Sequence, residues 1–308
     1  MSAFVLKLIA VISMFIDHFT DVLHLSGTLP FGRLYILGRA IGRPAFVIYC
    51  FMLVNGFDKT RDRKKYLSRL ILFAAISQIP FTLAFTKANY YPLLTDSVSY
   101  ALLGTLPLLL PLAAYFVCVC RCRWDASLIW VTAALALKGA SLILYGTMAL
   151  DSEHMNVFYT LAVGMAAMMT AEHLLHGKWD RKKGGEWLKV LLMLVSVAAL
   201  LYSLQPSSDY GLLGAALIFA LYLARKSRWA QLAVAALWCL IEYRWCVFDS
   251  PPYRPLVVGA LLALLPIALY NGKPGPKKRS FFYIFYPAHL TLLWAAMKLL
   301  PAIGGLVR

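Results

Sequence analysis

The sequence predicts an all-α membrane protein, a polytopic transmembrane helix bundle of about 10–11 spans with a cytoplasmic N-terminus. Three observations predict it. Hydrophobic residues make up 61% of the 308 positions and charged ones only 14%, whereas a soluble globular chain is about 45–50% apolar and about 25% charged. The mean hydropathy is +0.70, and apolar runs of roughly 20 residues, the length a span requires, recur along the chain. The net charge of +16 is gathered into alternate loops. Spans and short loops consume the whole length, so one transmembrane domain over 1–308 is expected, without a separate soluble domain. A basic soluble chain would suggest nucleic acid; in a membrane chain the distribution of charge decides, and no nucleic-acid partner is expected.

The apolar segments fall at about 4–24, 40–57, 67–86, 98–119, 126–149, 155–173, 187–204, 210–224, 229–247, 255–270 and 281–300. The first is a retained span: Lys7 alone precedes it, and it contains Asp17 and His18, which a cleaved signal h-region of 7–15 apolar residues does not. One set of loops carries Lys59 through Arg69, Arg121 and Arg123, Lys178 through Lys183, Arg225 through Arg228, and Lys273 through Arg279, nineteen cations in all. The opposite set carries Arg33, Arg39, Lys87, Arg244, Arg254 and Arg308. Cation-rich loops face the cytoplasm. That puts the N-terminus inside and the C-terminus outside, with eleven spans. Cys118, Cys120 and Cys122 alternate at a cytoplasmic helix end, where thiols stay reduced, and their spacing is not that of a zinc site. The Gly/Pro-rich stretch Asn271–Pro276 reads as a loop. Internal repeats and low-complexity segments are not evident.

Function must lie in polar residues that a bilayer would exclude. A charge at a helix centre costs about 2.5–3.5 kcal/mol on insertion scales, so each such residue is a candidate site. In the first span Asp17, Asp21 and His24 follow an i, i+4, i+7 stripe with His18 at its edge. A histidine that titrates near neutrality suits general-base work; Asp21 and His24 suit helix packing equally well. Around the second span, Gly38 and Gly42 are four apart, a spacing that permits close helix contact. Arg43 is either an arginine snorkelling to the outer headgroups or a fixed cation facing a carboxylate, a phosphate or Asp17. The basic run from Asp58 to Arg69 serves topology and anionic lipid, or receives a polyphosphate ligand through bidentate arginine contacts. Gln78 and Pro80 lie mid-span, where a kink would line a cavity. Asp209 and Tyr210 stand at an outer helix start, where Asp209 suits an N-cap. His289 is near the middle of the last span, with Tyr286 and Pro287 beside it; a proline within a helix leaves a carbonyl that something else must satisfy.

None of these groups makes a metal constellation, and no P-loop, dinucleotide-binding glycine fingerprint or nucleophile elbow is present. Two classes fit: a membrane enzyme with a histidine base and a cytoplasmic anionic cosubstrate, or a proton- or solute-coupled transporter using the same residues as a relay.

The chain resembles the TraX family of bacterial membrane proteins. The resemblance is carried by Met14, Asp17 and His18; Gly42-Arg43 with Ala45-Phe46, and Asn55-Gly56-Phe57; Thr60-Arg61, Arg63-Lys64-Lys65-Tyr66-Leu67 and Arg69-Leu70; Ser77-Gln78-Ile79-Pro80; Asp209-Tyr210-Gly211; Tyr270-Asn271-Gly272-Lys273; and Tyr283, Phe285-Tyr286-Pro287 and His289-Leu290. Thr20 departs from the glycine expected after the Asp-His pair, and residues 118–205 match poorly.

What the resemblance implies is acetyl transfer at the bacterial inner membrane, with acetyl-CoA as cosubstrate and the N-terminal amine of a conjugative pilin subunit as acceptor. A distant similarity to larger membrane acyltransferases points the same way. On that reading His18 or His289 deprotonates the attacking group, and Asp17 orients the histidine. Asp17 and His18 lie about 100° apart on their helix, so a neighbouring helix must complete that contact. Arg43, Asp209, Tyr210, Tyr286 and Gln78 would bind the acceptor or the oxyanion. Arg61, Arg63, Lys64, Lys65, Arg69, Asn271 and Lys273 would hold the cosubstrate. A lipid, glycan or other small acceptor, and a non-enzymatic role in transport or pilus assembly, are the alternatives.

Overall fold

The computed structural model describes residues 1–85, 117, 155–176, 210–276 and 278–306. Among these the protein is helical: α1 (Ala3–Leu25), α2 (Arg33–Gly42), α3 (Pro44–Lys59), α4 (Arg63–Phe85), α5 (Val157–His176), α6 (Gly211–Leu223), α7 (Arg228–Glu242), α8 (Arg244–Phe248), α9 (Arg254–Leu261), α10 (Leu264–Ala268) and α11 (Arg279–Leu306). Six stretches are long and apolar enough to cross a membrane: α1, α2 with α3, α4, α5, the 251–268 run through α9 and α10, and α11. The segments expected at 98–119, 126–149 and 187–204, and the three alternating cysteines, lie outside the described residues.

Several boundaries differ from the hydropathy reading. The second span begins at Arg33 rather than near residue 40 and bends at Arg43, where Pro44 starts α3. Proline has no N–H to continue the ladder, while Arg43 itself keeps helical dihedrals, φ −58° and ψ −32°. Arg33 and Arg39, counted from sequence as outer-loop cations, are therefore helical, and Arg39 is a turn before the bend. The 229–247 and 255–270 segments are each broken into two helices, at Tyr243 and at Leu262–Ala263.

The contacts separate the chain into two compact units. The first comprises Met1–Gly56, Pro80–Pro92 and Ala220–Arg308, and the second Phe57–Ile79 and Leu93–Phe219. In the first unit α1 packs on α2 and α11, and α2 packs on α9. The α1–α2 contact is close because glycines face it. A Cβ on Gly38 would sit 2.2 Å from Thr20 Oγ1, and one on Gly42 2.2 Å from Asp17 Cβ. Thr20 donates to the Ile16 carbonyl at 2.7 Å, so its hydroxyl is satisfied within α1 while its side chain fills the space beside Gly38. The α2–α9 contact is closer still, since a Cβ on Gly259 would lie 2.0 Å from the Ala40 carbonyl oxygen.

One end of this unit is fastened by backbone. The first amides of a helix have no intrahelical partner. In α1 the Ala3 and Phe4 N–H groups donate to the carbonyls of Lys273 and Pro274, at 2.8 and 3.1 Å. Gly275 (φ +70°) lies against Ser2 and Phe4, and the Asn271 side chain accepts from the Lys273 amide at 3.1 Å. Arg228, at the start of α7, donates to the Ile267 and Tyr270 carbonyls at 2.7 and 3.1 Å, which end α10. This cationic end is the one that charge distribution places in the cytoplasm. From it α1 and α11 run the same way: Phe4 meets Phe282, Phe15 meets Phe285, and His18 meets His289.

In the second unit, Asp62 caps α4 by accepting from the Lys65 amide at 2.9 Å. That bond holds the exposed Asp62 carboxyl below the ordinary carboxylate range. Gly164 of α5 receives Ile218 of α6 so closely that a Cβ there would be 2.5 Å from it.

Candidate functional site

The polar residues of α1 divide by direction. Asp17 and His18 are neighbours in sequence, and the turn between them sends one carboxylate toward α2 and one imidazole toward α11. All of this lies within the first unit.

Toward α2, Asp17 and Asp21 are one turn apart and face Arg39 and Arg43, also one turn apart. Because the two helices run in opposite directions, the spacings match as a ladder. Arg43 binds both carboxylate oxygens of Asp17 through Nη2. Arg39 reaches Asp17 Oδ2 at 3.3 Å and Asp21 Oδ2 at 3.2 Å, bridging the two rungs. Tyr35, a turn before Arg39, donates to Asp21 Oδ1 at 3.2 Å. Two carboxylates and two guanidiniums balance, which is how charges persist among spans at tolerable cost. The closest pair is the most enclosed, with side chains 11% and 12% exposed for Arg43 and Asp17. Beyond the ladder, His24 bonds the Leu29 carbonyl at 2.9 Å and closes the outer turn.

Toward α11, His18 Nδ1 and His289 Nε2 are 2.8 Å apart. Their ring planes differ by 8°, with centroids 5.1 Å apart, so the bond runs along the line joining the two rings. Both residues are buried. His289 Nδ1 donates to the Phe285 carbonyl at 2.8 Å, and Thr291 donates to the Pro287 carbonyl at 2.9 Å. Side-chain donors thus reinforce α11 around Pro287, whose nitrogen gives it no N–H. The walls are aromatic: Phe85 and Tyr286 stand edge-on to His18 at 5.1 and 6.0 Å, and Phe285 stacks on His289 at 4.8 Å.

The remaining candidates go elsewhere. Asp17 does not orient a histidine; its side-chain partners are Arg39 and Arg43. Gln78 belongs to the second unit, where its Oε1 accepts from the Asn156 amide at 3.1 Å and Asn156 Nδ2 at 2.7 Å, while Asn156 Nδ2 also reaches the Ala74 carbonyl at 2.8 Å. This network ties α4 to the start of α5. Replacing Gln78 by leucine should lower stability by about 1–3 kcal/mol, because two buried donors lose their acceptor; an unchanged unfolding midpoint in detergent would contradict it. Tyr210 has φ +60° at the start of α6, and Asp209 lies outside the described residues. Arg63 stacks over Phe57 at 4.1 Å and pairs with Glu172 at 3.5 Å. Arg61, Lys64, Lys65 and Arg69 are exposed on the same unit. Asn271 and Lys273 serve the turn that caps α1.

Arg39, Tyr35 and Asn156 were missed by sequence reasoning. A signal for the first two was present: a Tyr35/Arg39/Arg43 series at i, i+4, i+8 complements the Asp17/Asp21 pair on the preceding helix. No comparable pattern marks Asn156.

These features define a multi-pass helical membrane protein, with a charged ladder and a paired-histidine centre buried among its spans. The chain belongs to the TraX family: the family model, described as TraX protein, matches residues 2–137 and 139–297. The match includes most of the 118–205 stretch, where the motifs themselves are weak. Over 309 aligned residues the chain is 28% identical to a protein of Dichelobacter nodosus named probable fimbrial assembly protein FimC, serogroup H1, covering 97% of each chain. No solved structure matches.

Proposed function

We propose that this protein is an acetyltransferase of the bacterial inner membrane. It would move an acetyl group from cytoplasmic acetyl-CoA to an acceptor at the membrane, the N-terminal amine of a pilin subunit. The observation that carries the reading is the His18–His289 contact. Ionisable side chains within spans are rare and mark functional sites by default, and imidazole is the side chain suited to taking a proton from an attacking nucleophile near neutral pH. The pilin acceptor is favoured by TraX family membership and by the fimbrial-assembly name of the Dichelobacter relative.

Acetyl-CoA carries a 3′-phosphate and a diphosphate. Arg61, Lys64, Lys65 and Arg69, exposed at the start of α4, are the side chains to hold them. Arg63 contributes less, since Glu172 and Phe57 already engage it. The Arg39–Asp17–Arg43 ladder keeps fixed guanidinium donors on the helix packed against the one that carries His18, as stabilising an oxyanion would require.

The test is mass spectrometry of membranes incubated with deuterated acetyl-CoA, comparing the wild-type protein with His18→Ala and His289→Ala. A labelled pilin N-terminus that disappears in the variants is the expected result. A labelled lipid, glycan or small peptide would keep the enzyme and replace the acceptor. No labelled product from folded wild-type protein would defeat the proposal.

A further inference from the structure

The histidine pair has a direction, set by one carbonyl. A backbone carbonyl only accepts, so His289 Nδ1 carries a proton and donates it to Phe285 at 2.8 Å. With the ring neutral, His289 Nε2 is then a bare lone pair. That lone pair faces His18 Nδ1 at 2.8 Å, and two lone pairs do not approach so closely. His18 Nδ1 must therefore carry a proton and donate it. The neutral His18 ring is left with its lone pair on Nε2, the nitrogen outside the His289 contact, and no hydrogen bond from the described residues reaches it.

We propose, building on the acetyl-transfer reading, that His18 Nε2 is the base of the reaction and His289 is its positioning residue. His289 holds His18 in the Nδ1–H tautomer and shares the proton that His18 collects. As the acceptor nitrogen bonds to the acetyl carbon, its proton passes to His18 Nε2. The carbon–sulfur bond breaks, sulfur leaves with the electron pair, and the pair returns a proton to it. Between those events the Nδ1 proton can shift across the 2.8 Å bond, placing positive charge on His289, where the Phe285 carbonyl dipole stabilises it. The charged groups facing this region from α1 and α2 are Asp17, Arg39 and Arg43, already paired with one another. From α11 and α4 the pair meets aromatic rings. The roles are thus unequal: in sequence either histidine reads as a base, but of the two rings His18 is the one whose lone pair is outside the hydrogen bonds of the described residues.

The test reads the tautomers directly. Nitrogen-15 NMR on the full-length, histidine-labelled protein in bilayers, with assignments from single substitutions, should show protonated Nδ1 and bare Nε2 for both His18 and His289. His289→Gln puts an acceptor oxygen near the Nε2 position. It should preserve the His18 tautomer and most of the acetyl transfer, within roughly tenfold. His289→Leu removes the acceptor; His18 should revert to the Nε2–H form, and the rate should fall on the order of 10²-fold. His18→Gln should lose the full general-base contribution, about 10²–10⁴-fold. Wild-type His18 protonated on Nε2, or a His18 signal indifferent to His289→Leu, would overturn the assignment while leaving acetyl transfer standing. The expected tautomers in a wild-type protein that transfers no acetyl group would instead take down the enzyme reading, and the base role with it.

Discussion

Asp17→Asn is expected to destabilise the protein by about 3–5 kcal/mol, the scale for removing one partner of a buried ion pair. Asparagine keeps the size of the side chain but withdraws the carboxylate charge that binds the Arg43 guanidinium, 11% exposed, inside the bundle. Arg39 retains Asp21 at 3.2 Å, so the loss concentrates on the Arg43 rung. The second half of the prediction is recovery. Asp17→Asn combined with Arg43→Gln removes both charges and lets two amides bond across the same gap, so much of the stability should return. Unfolding midpoints of the two single variants and the double variant in one detergent would measure it. Losses that add within about 0.5 kcal/mol, as independent sites do, would mean that the two residues do not act on each other. The acetyl-transfer reading makes no demand on this outcome, which concerns only the α1–α2 seam.

Gly259→Ala carries the next largest expected effect. The added methyl would lie 2.0 Å from the Ala40 carbonyl oxygen, 2.7 Å from its carbonyl carbon and 3.0 Å from its Cα. All three are backbone atoms, so no rotamer change relieves the clash, and α2 must move away from α9. Overpacking of this kind costs typically 1–3 kcal/mol. Here it acts on the helix that carries Arg39 and Arg43, so the ladder should loosen with it. Gly42→Ala offers a contrast: its methyl meets the Asp17 side chain, which can yield only by weakening its bond to Arg43. Gly32→Ala is the control, since nothing lies within 4 Å of a Cβ there. A Gly259→Ala protein with the midpoint of the Gly32→Ala control would show that α2 and α9 do not pack as described.

The sequence exposed much of the site in pieces. The Asp17/Asp21 spacing, the histidines at 18 and 289, and the Gly38/Gly42 pair were all visible, because each is a departure from an otherwise apolar helix. The partnerships were visible only in part: Asp17 was one of several partners open to Arg43, and nothing joined His18 to His289. Arg39 read as a loop cation because hydropathy starts a span where charges stop, and a helix whose charges are neutralised across an interface does not obey that boundary. Asp17 read as a partner for histidine on the family resemblance, with a neighbouring helix needed to complete the contact; the neighbouring helix instead brings it Arg39 and Arg43. Asn271 and Lys273 read as cosubstrate-binding residues, and no pattern in the sequence marked that their turn supplies carbonyls to the orphan amides of α1.

By itself, the sequence determined that this chain lives in a bilayer, that its spans are helices, and which polar residues break the apolar pattern. Those are consequences of transfer free energy, which each residue carries wherever it sits. Only the tertiary structure decided that Asp17 belongs to Arg43 and that His18 belongs to His289, 271 positions away. Pairing depends on which helix faces meet and how closely glycine lets them approach, and neither is a property of any single stretch of chain.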